Sequence, residues 1–358
     1  MEYRKLGKTG LSVSAISFGG LKLGALSQNE VNGLMASAID GGMNYVDTAQ
    51  VYGKSEELLG TALKQFPRDK FIISSKCIKR DLAGFKAGFE DSFKTLDLDY
   101  IDFYFVHDVS NAANWKKVQD EGVITFLQDM KKAGRIGHLA ISTHDCTVGA
   151  EMLKTGLFEV AMLAYNASNT EIENELLPLA IEKQMGVVIM KPFGGGVLTL
   201  ERSKQMGFEI TAEDSLRFAV SKEGVSCVIP GIDKPEYLQT ALKIAQENPT
   251  MTDDEREAMC SRVTLRGKAY CRGCGYCMPC PVGIPIPTVL NYYNQWEVFK
   301  GVDWAAMHRI TEEYTAKVPN DVTPDNCIAC GACAPHCPYN LPIPELMQKA
   351  AETMPRSK

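Results

Sequence analysis

The chain has 358 residues, of which 45% are hydrophobic and 23% charged, and its formal net charge is −6 at pH 7. This length and composition suit one large domain or two domains with ample material for a core. The negative charge and the lack of a Lys/Arg block argue against a nucleic-acid binder. The sequence shows no signal peptide and no apolar run of about 18 residues, which predicts a cytoplasmic protein without a membrane span.

The first part of the chain alternates short apolar runs with amphipathic segments. Strands that are buried on both faces give continuous apolar runs, as residues 187–190 do. Eight strand-then-helix repeats predict a (β/α)8 barrel, and a doubly wound open sheet is the alternative. Against that alternative, no G-x-G-x-x-G follows the first strand. The predicted strands are Ser14–Phe18, Tyr45–Thr48, Phe71–Lys76, Tyr100–His107, Ile136–Thr143, Phe158–Asn166, Gly186–Lys191 and Val225–Gly231.

The segments between these strands carry apolar residues at helical spacing. In one of them, Phe85, Phe89 and Phe93 form a stripe that predicts packing against a sheet rather than a ligand site. Ser55 is placed as the N-cap of the helix that carries Leu58. Further helices are predicted near Glu30–Asp40, Val123–Ala133, Val148–Lys154, Ile172–Lys183, Ala212–Ser221, Pro235–Gln246 and Thr252–Val263.

The amino-acid composition changes near residue 265. After that point Cys, Pro and Gly dominate, except in a predicted helical insert at about Pro287–Lys317. The stretch Cys280–Pro287 matches Cys337–Pro344, so this region carries an internal repeat. A duplicated half suits a two-cluster ferredoxin. We therefore predict two domains, a barrel over residues 1–264 and a small α+β ferredoxin-like domain over residues 265–358.

Eight of the twelve cysteines lie in two runs. The second run has the spacing C-x2-C-x2-C-x3-C-P of bacterial ferredoxins, in which the fourth cysteine binds the other cluster. The first run is one residue shorter before its last cysteine. Zinc is the alternative, but zinc sites usually separate two cysteine pairs by about 12–20 residues. By analogy we predict two [4Fe–4S] clusters, one held by Cys271, Cys274, Cys277 and Cys337 and the other by Cys327, Cys330, Cys333 and Cys280.

Four polar side chains follow the ends of neighbouring predicted strands, where barrel active sites lie. Asp47, Lys76 and His107 lie at the ends of the second, third and fourth strands, and Tyr52 lies on the loop after the second. Together they form a proton-delivery set. Free tyrosine has a pKa near 10, and a nearby ammonium lowers it. We expect Lys76 to lower the pKa of Tyr52, and Asp47 to keep Lys76 charged.

The pattern Gly42-x-Asn44-x-x-Asp47-Thr-Ala-x-x-Tyr52-Gly53, followed by Lys76 and His107, resembles the aldo-keto reductase family over roughly residues 1–262. The resemblance implies a (β/α)8 barrel that reduces aldehydes and ketones with NADP(H). It assigns proton donation to Tyr52, tuning to Lys76 and Asp47, and orientation of the carbonyl to His107. The whole chain resembles the subgroup that carries a C-terminal ferredoxin-like domain.

The same resemblance implies a cofactor site, and this chain departs from the family pattern there. Met162 and Met190 replace a Gln and a Tyr, and Tyr237 aligns with an Arg that holds the 2′-phosphate. NADP(H) and NAD(H) therefore both stay open, and a flavin is a third option for which no fingerprint is present. The implied cofactor-binding residues are Ser142, Thr143, Lys191, Pro192, Phe193, Gly194, Gly231 and Lys234.

The predicted function is reduction of a small-molecule carbonyl compound, with a nicotinamide as hydride donor and Tyr52 as proton donor. That reaction needs no iron–sulfur cluster, because a cubane passes one electron at a time. The clusters could be structural, could connect to a ferredoxin or flavoprotein partner, or could donate directly to a substrate. The alternative to an enzyme is a non-catalytic protein, a nicotinamide-sensing or docking scaffold for an electron-transfer module.

Overall fold

The structure is a computed structural model. It describes residues 1–196, 198–205, 209–247, 250–265, 271, 275, 277–300, 304–337 and 341–354. Cys274, a predicted cluster ligand, lies outside these residues. The chain forms two compact units, the first made of Met1–Gly194 and Thr211–Arg256 and the second of Gly195–Ile210 and Glu257–Lys358.

The first unit is a barrel preceded by a hairpin. Strands β1 (Tyr3–Lys5) and β2 (Ser12–Ser14) pair antiparallel. The next eight strands pair side by side in chain order, and all their pairings are parallel. They are β3 (Phe18–Gly19), β4 (Tyr45–Asp47), β5 (Ile72–Cys77), β6 (Ile101–Val106), β7 (Ile136–Thr143), β8 (Val160–Ala164), β9 (Gly186–Met190) and β10 (Cys227–Val228).

Parallel bridges between Ile16 and Val228 and between Gly19 and Gly231 join the two edges of this sheet. The sheet therefore closes, and the predicted (β/α)8 barrel is confirmed. The first predicted strand is displaced, because Ser14 ends the hairpin and the barrel strand begins at Phe18. The amide of Ser14 donates to Asn44 Oδ1 at 2.8 Å, which holds this crossing between hairpin and barrel.

Helices follow the barrel strands, and one predicted cap is wrong. Ser55 does not cap α2, because its buried hydroxyl donates to the carbonyl of Gly20 and contacts Thr48 Oγ1, each at 2.8 Å. The helices before the first cysteine run are α1 (Gln28–Asp40), α2 (Ser55–Leu63), α3 (Leu82–Leu96), α4 (Ala112–Asp120), α5 (Val123–Lys132), α6 (Cys146–Lys154), α7 (Leu176–Glu182), α8 (Leu200–Gln205), α9 (Ala212–Val220), α10 (Pro235–Gln246) and α11 (Asp253–Leu265). Helix α8 and the end of α11 belong to the second unit.

The aromatic stripe of α3 packs inward, as its spacing predicts. Phe85, Phe89 and Phe93 are all buried. The ring of Phe89 lies 4.7 Å, centroid to centroid, from that of Tyr104 on β6. This packing is core contact between a helix and the barrel wall, and it fixes the helix that follows β5 against the strand that carries His107 at its end.

In the second unit, the predicted helical insert is confirmed as α12 (Ile286–Phe299) and α13 (Trp304–Lys317), and α14 (Ile343–Thr353) follows. The internal repeat is visible in the backbone. Pro285 before α12 has φ −77° and ψ 71°, and Pro342 before α14 has φ −75° and ψ 68°. Over the described residues, no helix has the length and apolar character needed to cross a membrane.

Candidate functional site

Asp47 and Lys76 form a buried ion pair at the ends of β4 and β5. Lys76 Nζ lies 2.7 Å from Asp47 Oδ2 and donates to the carbonyl of Thr48 at 2.6 Å. Ser74 Oγ donates to the other carboxylate oxygen at 2.6 Å. Burial by itself lowers the pKa of Lys76. The interactions with Asp47 and Tyr52 raise the pKa by more than burial lowers it, so the net shift is upward. Lys76 is therefore an ammonium at neutral pH, although its side chain is fully buried.

Tyr52 lies against this ammonium, because a turn closed by its amide to the carbonyl of Ala49 brings it back over the barrel end. Lys76 Nζ is 4.8 Å from the centre of the Tyr52 ring. The expected lowering of the pKa is wrong in its net direction. Burial raises the pKa of Tyr52 above its usual value, and the charge of Lys76 offsets only part of that rise. Tyr52 is therefore a neutral phenol that keeps its proton.

His107 follows β6 and completes the set. Its ring centre lies 5.8 Å from that of Tyr52, with the planes at 82°. Burial and then the charge of Lys76 lower the pKa of His107 to about 3, so the imidazole is neutral. Its buried Nδ1 has no hydrogen-bond partner among the described residues. The structure thus brings all four predicted catalytic residues to one end of the barrel.

Sequence reasoning missed Arg80, which lies three residues after β5 and is only 9% exposed. Its guanidinium donates to the carbonyls of Ile78 at 2.7 Å, His107 at 2.5 Å and Asp108 at 2.9 Å. Arg80 therefore fixes the turn that presents His107. A loop arginine is usually solvated, so the sequence carries no signal for this contact.

Asp108 and His144 were also missed. Asp108 directly follows His107, and His144 follows β7. Their side chains meet at 2.8 Å between Asp108 Oδ1 and His144 Nδ1, and Ser110 Oγ donates to the same carboxylate oxygen at 2.5 Å. The pair spans two strand ends that are far apart in sequence, and only the parallel pairing of β6 with β7 brings it together.

The predicted cofactor-binding residues lie at the end of β7 and after β9 and β10, at the same end of the barrel as the predicted catalytic residues. Ser142 and Thr143 end β7 and are buried. Ser142 Oγ accepts a hydrogen bond from the amide of Asp108 at 2.8 Å. Met162 is the register partner of Ser142 and is buried. The position that departs from the family pattern is therefore part of the barrel interior.

The stretch Lys191–Gly194 follows β9 and forms a tight turn. Lys191 has φ +58°, and its carbonyl accepts from the amide of Gly194 at 2.9 Å and from Asn166 Nδ2 at 3.0 Å. Pro192 is buried within this turn, and Phe193 is partly exposed. Asn166, which the sequence analysis did not single out, thus holds the loop that carries the predicted cofactor-binding residues Lys191–Gly194.

The loop after β10 carries a charged residue that was also missed. Gly231 lies in this loop, and Lys234 is the N-cap of α10. Between them, Asp233 Oδ2 lies 3.4 Å from Lys22 Nζ. Asp233 Oδ1 is buried and has no hydrogen-bond partner among the described residues. A carboxylate with an unpartnered oxygen therefore lies beside the predicted nucleotide-binding residues.

In the second unit, a cavity that is partly open to solvent is lined by Cys280, Cys327, Cys330 and Cys333. Burial and then the neighbouring thiol groups raise the pKa of Cys333. Among the described residues, no three metal-binding side chains converge on a point that one ion could occupy. Four thiolates on one zinc ion lie within about 4 Å of each other, because Zn–S bonds are about 2.3 Å. No such single-ion site is present among the described residues, and the four lining cysteines are the set that the sequence assigns to one cluster.

The other predicted set is placed differently. Cys277 and Cys337 are buried in the core of the second unit, and Cys271 packs against that core. The carbonyl of Cys271 accepts from Asn294 Nδ2 on α12 at 3.2 Å. Cys280, the last cysteine of the first run, therefore lies with the first three cysteines of the second run.

The chain belongs to the aldo/keto reductase family, whose model matches residues 15–215, more than half of the chain. A second family model, the 4Fe-4S dicluster domain, matches residues 270–341. The protein is therefore an oxidoreductase of the aldo/keto reductase family that carries a C-terminal iron–sulfur domain.

Similar proteins agree with this assignment. The chain is 29% identical over 303 residues to the oxidoreductase YqkF of Bacillus subtilis, across 73% of this chain and 96% of that protein. It is 30% identical over 218 residues to the L-galactose dehydrogenase of Arabidopsis thaliana, across 56% of this chain and 67% of that protein. The solved aldo-keto reductase of Bacillus halodurans, in its holo form, has a TM-score of 0.64 and 24% identity over 72% of this chain and 95% of its own, which shows the shared fold.

Proposed function

We propose that the first unit reduces the carbonyl group of a small molecule, with a nicotinamide as the hydride source and Tyr52 as the proton donor. The observation that carries this proposal is the neutral Tyr52 phenol against the buried ion pair of Lys76 and Asp47, with Lys76 Nζ 4.8 Å from the ring centre. A buried ion pair contributes little net stability. Its position at the mouth of the barrel therefore favours a chemical role over a structural one.

Each residue of the set has a separate task in the proposed reaction. A bound nicotinamide supplies the hydride. Tyr52 holds the proton that passes to the carbonyl oxygen, since its raised pKa keeps the phenol protonated at neutral pH. The ammonium of Lys76 stabilises the negative charge that remains on the phenol oxygen of Tyr52. The neutral His107 provides a hydrogen bond that orients the carbonyl group.

The loop after β10 supports NAD(H) as the nucleotide. The carboxylate of Asp233 would repel a 2′-phosphate, whereas its buried, unpartnered Oδ1 could accept a hydrogen bond from a ribose hydroxyl. Asp233 lies between the predicted cofactor-binding residues Gly231 and Lys234, which supports a contact between its carboxylate and the ribose. Fluorescence titration should give tighter binding of NADH than of NADPH, and Asp233→Ser should reduce the difference. A preference for NADPH that Asp233→Ser leaves unchanged would contradict this assignment.

For the C-terminal domain, which we propose runs from residue 265 to 358, we propose two [4Fe–4S] clusters that exchange electrons with a redox partner. When bound, such clusters supply one-electron transfer. The cavity lined by Cys280, Cys327, Cys330 and Cys333 supports one of them. The second set would be Cys271, Cys274, Cys277 and Cys337. Anaerobically purified protein should contain about eight iron and eight sulfide per chain, and zinc in their place would overturn this part of the proposal.

Tyr52→Phe tests the reductase proposal directly. It removes the hydroxyl and keeps the ring that Lys76 packs against, so nucleotide binding measured by fluorescence titration should persist. We expect kcat/KM for aldehydes with NADH or NADPH to fall at least about 100-fold, the usual contribution of a positioned acid. If Tyr52→Phe reduces aldehydes as fast as the unaltered protein, the tetrad does not carry the reaction and the non-catalytic scaffold becomes the better hypothesis.

A further inference from the structure

Asp108 and His144 form a partly exposed polar pair beside the proposed reaction site. The side chain of Asp108 is 34% exposed and that of His144 is 32% exposed, and the two meet at 2.8 Å. Asp108 directly follows His107 in the chain. Its charge contributes to the pKa shifts of both His107 and Tyr52, because it lies close to each of them. Since the Asp108 amide is bonded to Ser142 Oγ and the His107 ring lies against Tyr52, the pair is at the same end of the barrel as the proposed reaction site.

The backbone of Asp108 is held in an uncommon conformation. Its φ is +53°, in the left-handed region that residues other than glycine rarely adopt. Its amide donates to Ser142 Oγ at 2.8 Å, and its carbonyl accepts from Arg80 at 2.9 Å. Contacts from two neighbouring strand ends thus fix this residue. Such over-determined, sparsely populated conformations cluster at functional sites.

The carboxylate of Asp108 has acceptor capacity left for a ligand. Burial raises its pKa, but the hydrogen bonds from His144 and Ser110 lower it more, so the net shift is downward and the group is ionised at neutral pH. Both of these bonds end on Oδ1. Among the described residues, Oδ2 of Asp108 receives no side-chain hydrogen bond. A hydroxyl group that donates to a carboxylate makes one of the stronger hydrogen bonds available in a protein.

We propose that Asp108 and His144 select substrates that carry a hydroxyl group next to the carbonyl group, that is, hydroxyaldehydes or hydroxyketones. Asp108 accepts the hydrogen bond of that hydroxyl, and His144 holds the carboxylate in place. This proposal rests on the proposed carbonyl reduction at Tyr52 and adds the class of substrate. The reason is position, because Asp108 directly follows His107, the residue proposed to orient the carbonyl group, and its Oδ2 has acceptor capacity left.

The test compares two three-carbon aldehydes, glyceraldehyde and propanal, which differ by two hydroxyl groups. The readout is the ratio of kcat/KM for glyceraldehyde to kcat/KM for propanal, measured on the full cluster-loaded protein. Asp108→Asn removes the charge with little change of shape, and Asn tolerates the left-handed backbone. We expect the ratio to fall about tenfold in Asp108→Asn, the difference between a charged and a neutral hydrogen bond. His144→Gln should lower the same ratio.

His138→Gln is the matched control. His138 forms a similar pair with Glu159, at 3.0 Å, but it lies near the start of β7 rather than after its end. This variant should keep the ratio of the unaltered protein. The proposal is overturned if the unaltered protein has a ratio near one, or if Asp108→Asn and His144→Gln both leave the ratio unchanged. Failure of the underlying reductase proposal would be distinct, because Tyr52→Phe would then reduce both aldehydes at the unaltered rate.

Discussion

Lys76→Met removes the cation of the buried pair and leaves the carboxylate of Asp47 behind. The Nζ group makes two bonds, to Asp47 at 2.7 Å and to the carbonyl of Thr48 at 2.6 Å, and all three groups lie away from solvent. Breaking a buried pair on one side typically costs about 3–5 kcal/mol. Replacing both charges is far less costly, so Lys76→Met combined with Asp47→Leu should recover most of that loss.

The measurement is urea denaturation of the full chain followed by circular dichroism, using the transition of the first unit. The deficit of Lys76→Met should be constant near neutral pH. Because the folded protein raises the pKa of Lys76, the stability that this lysine contributes is present below its unfolded pKa and is lost as pH rises through the folded value. The deficit should therefore shrink only above about pH 10. A loss below about 1 kcal/mol, or a double variant less stable than the single one, would refute this reasoning.

Three further predictions concern Tyr52, the packing of Gly60 and the cluster ligand proposed at Cys330. Since burial raises the pKa of Tyr52, kcat/KM for reduction should stay level through neutral pH and fall only above about pH 10; a fall centred below pH 8 would contradict the assignment. Gly60→Ala would set a Cβ atom 2.6 Å from the carbonyl oxygen of Leu96 and should lower the stability of the first unit by about 1–3 kcal/mol in the same urea assay. Cys330→Ser should lower bound iron from about eight to about four per chain, whereas Cys146→Ser should leave it unchanged by elemental analysis.

The order of polar residues along the sequence sufficed to predict that Asp47, Tyr52, Lys76 and His107 meet at one end of the barrel. Asp47, Lys76 and His107 follow successive strands, and parallel strands of a barrel all end on the same side. Their convergence could therefore be predicted without coordinates. The cysteine runs are equally local, because three ligands of each proposed cluster come from one short loop. The family assignments to residues 15–215 and 270–341 agree with the predicted aldo-keto reductase barrel and with the predicted iron–sulfur domain.

The sequence was least informative where an effect depends on burial. The charge of Lys76 beside Tyr52 predicts a lowered pKa, yet removal of the phenol from water outweighs that charge and the net shift is upward. Serine is a residue type that favours the N-cap position, yet the hydroxyl of Ser55 is buried and forms hydrogen bonds with Gly20 and Thr48 instead. Desolvation and competition among buried partners depend on every neighbouring atom, and no local pattern carries that information.

The sequence by itself determined the barrel, the four residues at its mouth and the two cysteine runs, because each depends on periodicity or on short spacings along the chain. Only the tertiary structure showed that Arg80 holds His107 and Asp108, that His144 pairs with Asp108, and that Cys280 lines a cavity with the second run. These contacts join segments that are distant in sequence. They form only when closure of the barrel and packing of the second unit bring those segments together.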